Sequence, residues 1–121
     1  MKKLLLGALL LLSTLSFSQN TFIKKYTSYA MNIGSVISEV KPIDVTFVFN
    51  EGKSTDIVVY GLTEVKRFHT ISATTTGKTT GGYEYQWVDC IQVSTGSKAS
   101  IQLFDKAVRI FIEGDYIEYQ N

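Results

Sequence analysis

The chain has 121 residues, of which 45% are apolar and 19% charged, with a formal net charge of +1. That is room for one domain, and it excludes both a disordered chain and a polyelectrolyte. Eight of the ten leucines fall in residues 1–18, and beyond them Val, Ile, Thr, Tyr, Phe and Trp make up 47 of 103 residues, which excludes a helical bundle, a coiled coil and a multidomain enzyme.

Residues 1–18 begin with Lys2 and Lys3, run apolar from Leu4 to Leu12, and end in Ser16-Phe17-Ser18. A positive start, a short apolar stretch and small residues before a cut describe a cleaved, Sec-type signal peptide. Its apolar stretch, about nine residues, is far short of the ~20 that span a bilayer, and no Cys follows it to carry an acyl anchor. The expected product is a single all-β domain over 19–121, periplasmic or extracellular in a Gram-negative bacterium, with no membrane anchor. Its 10 basic and 11 acidic residues give a net charge of −1 and offer no electrostatic handle for nucleic acid.

Lys24 and Lys25 open the first strand and read as protection of a sheet edge, which favours an incompletely closed sheet. Residues 33–41 are assigned a short strand through Val36, Ile37 and Val40. Ile43, Val45, Phe47 and Phe49 alternate with Asp44, Thr46 and Val48, the cleanest period of two in the chain, with Pro42 at the strand's first position. Asn50-Glu51-Gly52-Lys53 reverses the chain, and Thr55–Tyr60 returns. Leu62, Val65, Phe68 and Ile71 recur every third residue, yet the β-branched content favours a bulged strand over a helix. Ser72–Gly82 reads as a long flexible hairpin, with a lid over a barrel mouth as the functional alternative. Ala99–Leu103 and Val108–Ile112 alternate across an Asp105-Lys106 link, and Gly114-Asp115 leads into Tyr116–Tyr119.

The sum is an antiparallel meander of seven or eight strands with no βαβ unit. Two architectures fit: a small up-and-down barrel, which the short sequential links favour, or a two-sheet sandwich.

Candidate chemistry is sparse. His69 is the one histidine, with no nucleophile elbow or Cys/His signature around it, and reads as a partly exposed strand residue. One His and one Cys do not make a zinc site without two placed carboxylates. No catalytic, cofactor-binding or metal-binding residue is therefore assigned, and no cofactor is expected. Cys90, the single cysteine after the leader, cannot form an intrachain disulfide; it reads as a buried small hydrophobe, with intermolecular pairing as the alternative. The most distinctive feature is Tyr83, Tyr85 and Trp87 at every second position, on one face, with Glu84, Gln86, Val88 and Cys90 on the other. Such a row makes either core wall or a ligand or partner contact. The polar tips of Tyr and Trp keep the second reading open.

From Ile43 to Tyr119 the chain resembles a group of small exported bacterial proteins of uncharacterised function. The resemblance rests on the KPIDVTFVF entry strand, the aromatic strand YEYQWVDC and the terminal hairpin AVRIFIEGDYIEYQ. It implies a small lipocalin-like or sandwich-like β-domain and transfers no catalytic residue. The expected function is a non-enzymatic binding module for a small apolar or amphipathic ligand, held inside the barrel-like sheet. The alternative is a protein-interaction or structural module of the cell envelope, using a sheet edge or the aromatic patch. A small hydrolase, built on His69 or on a carboxylate pair, comes third.

Overall fold

The computed structural model describes residues 20–52 and 54–121; the leader expected over 1–18 lies outside them. Ten strands follow one another: β1 Phe22–Ile33, β2 Val36–Ile37, β3 Lys41–Phe49, β4 Ile57–Tyr60, β5 Lys66–Thr70, β6 Thr75–Lys78, β7 Glu84–Gln92, β8 Lys98–Leu103, β9 Ala107–Ile112 and β10 Asp115–Gln120. All strands but β2 and β6 form one ring of eight, antiparallel throughout, which closes where β10 pairs with β1. The molecule is thus an up-and-down barrel and not a two-sheet sandwich.

Closure overturns the open sheet expected from Lys24 and Lys25, and the reason lies in the length of β1. It pairs with β3 through Phe22–Tyr26 and again through Ser28 and Tyr29, while Ser28–Asn32 pair with β10. A register shift between Tyr26 and Ser28 takes up one residue, so Tyr26 and Tyr29, three apart, both face inward. The two lysines sit on the part of β1 that runs past the end of β10.

Alternation sends one face of every barrel strand inward. Val45, Phe47 and Phe49 from β3 meet Ile57 and Val59 from β4, Val88 and Cys90 from β7, and Ile101 from β8 in one continuous core. Phe47 lies at its centre, with ring centroids 5.5 Å from Tyr26, 5.9 Å from Phe49 and 5.3 Å from Tyr119. An eight-stranded barrel is just wide enough for side chains to fill, and these large apolar side chains pack together inside it. Tyr26 is 1% exposed and its hydroxyl has no hydrogen-bond partner among the described residues. Burial alone raises its pKa well above the ordinary phenol value.

Several boundaries differ from the sequence reading. The bulged strand over 62–71 shortens to β5, which pairs with β7 in regular register, and Ile71 beyond it donates to the Asp89 carbonyl before β6 begins. The strand over 33–41 reduces to the two residues of β2, and β3 already starts at Lys41. The return strand starts at Ile57, because Ser54 Oγ accepts from the Asp56 amide and holds the preceding residues in a turn. The last hairpin turns on Glu113-Gly114, with φ of 52° and 87°, one residue earlier than expected. Two left-handed residues match the twist of the flanking strands. The Asp105-Lys106 link stands as read, with the Phe104 amide donating to the Ala107 carbonyl.

Candidate functional site

The antiparallel order brings the start of β1, the start of β7 and the end of β8 to the same end of the barrel. The segment read as a flexible hairpin is largely ordered there. β6 pairs with β7 from Thr75↔Trp87 to Lys78↔Glu84, and Thr79 closes the tip by accepting from Gly82 and donating to Tyr83 through the main chain. This β6–β7 arm takes up the side of β7 that β5 leaves free below Cys90.

Tyr85 lies across the arm. A Cβ at Gly77, its cross-strand partner, would come within 2.6 Å of the Tyr85 Cζ and hydroxyl, so only glycine lets the ring lie flat there. The other side of Tyr85 meets Phe104 edge-on at 5.8 Å. Between the arm and the β8–β9 turn lies an open depression of about 760 Å³, within the usual range for small-molecule sites. Leu103 and Gln86 line it toward the barrel, Tyr85 and Phe104 form apolar wall, and Lys78 and Glu84 stand on the arm. From the opposite side Lys24, on the inward face of β1 with Phe22 and Tyr26, reaches the rim and donates from Nζ to the Asp105 carbonyl at 3.1 Å. Lys78 and Glu84 face one another at 3.8 Å, both well exposed.

The three aromatics expected to act together are separated by this arrangement. None of them walls the core, because alternation gives the inward positions of β7 to Val88, Cys90 and Gln92. Tyr83 precedes β7, is 71% exposed, and rests against Gly81 at the tip of the arm. Tyr85 borders the mouth. Trp87 lies on the outer face and contacts Phe111 at 5.1 Å, while its Nε1 donates to Asp89 Oδ1 at 3.0 Å.

Around Trp87 the outside of β7 to β10 carries a second, smaller cluster. Trp87, Gln102, Arg109 and Glu118 form one cross-strand row. The Arg109 guanidinium sits 5.1 Å from the Phe104 ring centroid and 4.9 Å from that of Tyr116, and its Nε donates to Glu118 at 2.6 Å. Gln102 is buried beneath these groups, its Oε1 without a partner among the described residues.

A third cluster lies on the outer side of β4 and β5. Arg67 pairs with Glu51 at 2.5 Å and with Asp56 at 2.8 Å, Tyr60 donates to Glu51 at 2.6 Å, and His69 Nδ1 donates to Asp56 at 2.8 Å. Hydrogen bonds from Tyr60 and then Arg67 hold the Glu51 carboxyl below its usual value. Burial pushes Asp56 up, but bonds from His69 and Arg67 outweigh it and the net direction is down. His69 therefore has an orienting acid. Cys90, by contrast, faces the barrel interior, on the other side of the sheet from the outward His69, and burial followed by Asp89 pushes its thiol up to about 12. Among the described residues no group of three or more His, Cys, Asp or Glu gathers as a metal site would need.

Sequence reasoning missed Lys24, Leu103 and Phe104 as mouth residues. A signal for Lys24 was present: it lies between Phe22 and Tyr26 on the inward period of two, so it belongs to the apolar face and not to a solvated edge. Comparison of the chain with protein-family models, with curated proteins and with solved structures found no match in any of the three.

Proposed function

We propose that this is an exported, non-catalytic binding module that takes a small apolar or amphipathic ligand at the mouth of the barrel. The observation that carries the reading is the depression of about 760 Å³, walled by Tyr85 and Phe104 and reaching Leu103. The packed interior moves the ligand from the middle of the barrel, where a lipocalin-like module would hold it, to the rim. The ordered arm supplies one wall of that site, so the ligand does not need to thread between the strands.

The reading is tested by titrating the folded protein with N-phenylnaphthylamine, a neutral apolar fluorophore. Saturable binding to one site is expected, weakened severalfold in Tyr85→Ala and in Phe104→Ala and unchanged in Trp87→Ala. Binding without saturation, or equal binding in all four proteins, overturns it. Native mass spectrometry of protein recovered from an exporting bacterial host would then identify the natural ligand as a co-purified mass.

A second reading has its own support. Tyr83 is 71% exposed, and the Trp87–Phe111–Tyr116 surface is only half-buried, an arrangement that suits contact with an envelope protein. Under this reading Trp87→Ala abolishes partner cross-linking in the periplasm while leaving probe binding at the mouth intact.

A further inference from the structure

The depression is lined by two cations, Lys24 and Lys78, and by two acids, Glu84 and Asp105. Lys78 on the arm has Glu84 as its counter-charge, and both are exposed to solvent. Lys24 differs in three ways. It is half-buried, it belongs to the inward face of its strand, and among the described residues its bond is to a neutral main-chain carbonyl, that of Asp105. An ammonium carries three donors, so one bond to a carbonyl leaves two of them for a ligand, while the Asp105 carboxylate on the same lining is exposed to solvent. The stem of Lys24 lies along the apolar interior wall while its head reaches the rim, the usual disposition of a long cationic side chain at an apolar boundary. Tyr85, Phe104 and Leu103 line the same depression as that head, and Phe104 directly precedes Asp105, to which the head bonds.

We propose that the mouth selects an amphipathic anion: its apolar body lies against Tyr85, Phe104 and Leu103, and its acid group bonds to the Lys24 ammonium. This rests on the mouth reading above and adds the sign of the ligand's charge. A charge-assisted bond from an ammonium to an acid group is roughly twice as strong as a neutral one. A partly desolvated site beside aromatic rings also screens the pair less than bulk water does.

The test compares two probes that share one aromatic body, N-phenylnaphthylamine, which is neutral, and anilinonaphthalene sulfonate, which is anionic. The sulfonate is expected to bind about tenfold tighter to the wild-type protein. Lys24→Met is expected to abolish the preference, so that the variant binds both probes with equal affinity, and Lys24→Arg to retain most of it. Far-UV circular dichroism checks that each variant is folded. If Lys24→Met does not fold, salt dependence of the wild-type protein decides: the sulfonate weakens severalfold between about 0.01 M and about 1 M salt, and the neutral probe does not.

Equal affinities for the two probes, both reduced by Tyr85→Ala, overturn the anion preference and leave the mouth site standing. A sulfonate preference that survives Lys24→Met also overturns it, since another cation then carries the charge. Failure of both probes to saturate overturns the mouth reading along with it.

Discussion

The two halves of β7 differ in the strands they pair with and in where their side chains lie. From Val88 to Gln92 the strand lies between two barrel strands, β5 along Cys90–Gln92 and β8 along Val88–Ile91, and sends Val88, Cys90 and Gln92 into a packed interior. From Glu84 to Trp87 it pairs with the short β6, and its rings border the mouth or lie on the outer surface. The same period of two runs through both halves. Alternation therefore fixes which side chains share a face, and the neighbouring strands decide whether that face is dry. From β7 the interior takes only Val88, Cys90 and Gln92, because Tyr26, Phe47, Phe49 and Phe68 already occupy it. The tyrosines and Trp87 lie outside, where their polar tips reach water or Asp89.

The interior half is the place for the largest effect. Phe47→Ala removes the ring that contacts Tyr26, Phe49 and Tyr119 at once. A loss of about 3–5 kcal/mol is expected, read from the shift of the urea midpoint. Cys90 reports the same opening independently. Buried and with its thiol pushed up to about 12, it resists Ellman's reagent in the folded protein. Each 1.4 kcal/mol is tenfold in the open population, so labelling in Phe47→Ala should be roughly a hundred- to several thousandfold faster. Comparable labelling rates in the two proteins would place Cys90 outside the cooperative core.

Tyr26→Phe sharpens the comparison in the opposite direction. The Tyr26 hydroxyl is buried without a hydrogen-bond partner, so its removal deletes a desolvation cost and leaves the ring contact with Phe47 in place. Stability should rise by about 1 kcal/mol in the same urea assay. A fall would mean that the hydroxyl has found a partner in solution, such as an enclosed water.

Much of this was legible from the residues. The strands that alternate cleanly, β3, β8 and β9, were visible because Phe47, Ile101 and Ile110 repeat at the spacing of a pleat. The barrel itself followed from short sequential links. Less visible was everything decided by long-range pairing. The register shift after Tyr26 in the β1–β3 ladder has no local signal, nor does the pairing of β1 with β10 that closes the ring. The Gly77–Tyr85 pair that orders the arm joins residues in a segment whose Thr and Gly content points to a loop. The ion cluster around Arg67 gathers Glu51, Asp56 and His69 from three separate turns and strands.

That ion cluster yields a smaller, pH-dependent effect outside the core. Glu51 and Asp56 are both held below the usual carboxylate range in the folded protein. A lowered folded-state pKa contributes stability above the unfolded value, near ~4, and the contribution is lost as pH falls through the folded value. The urea midpoint of the wild-type protein should therefore fall more steeply between about pH 5 and about pH 3 than that of Arg67→Met, which lacks the shared cation. Parallel curves would show that solvent screens the cluster too fully for it to matter.

The smallest effect belongs to the arm tip. Tyr83 is 71% exposed, its ring rests on Gly81, and its main-chain bonds to Thr79 need no particular side chain. Tyr83→Ala should change stability by no more than about 0.5 kcal/mol, the usual range for a surface site. The prediction is informative because Tyr83 stands only five residues before Val88, on the same run of chain. A loss above about 1 kcal/mol would mean that in solution the arm folds down and buries this ring against the barrel. The mouth would then be covered by the protein's own tyrosine, and the division of β7 into a packed half and a surface half would fail at its outer end.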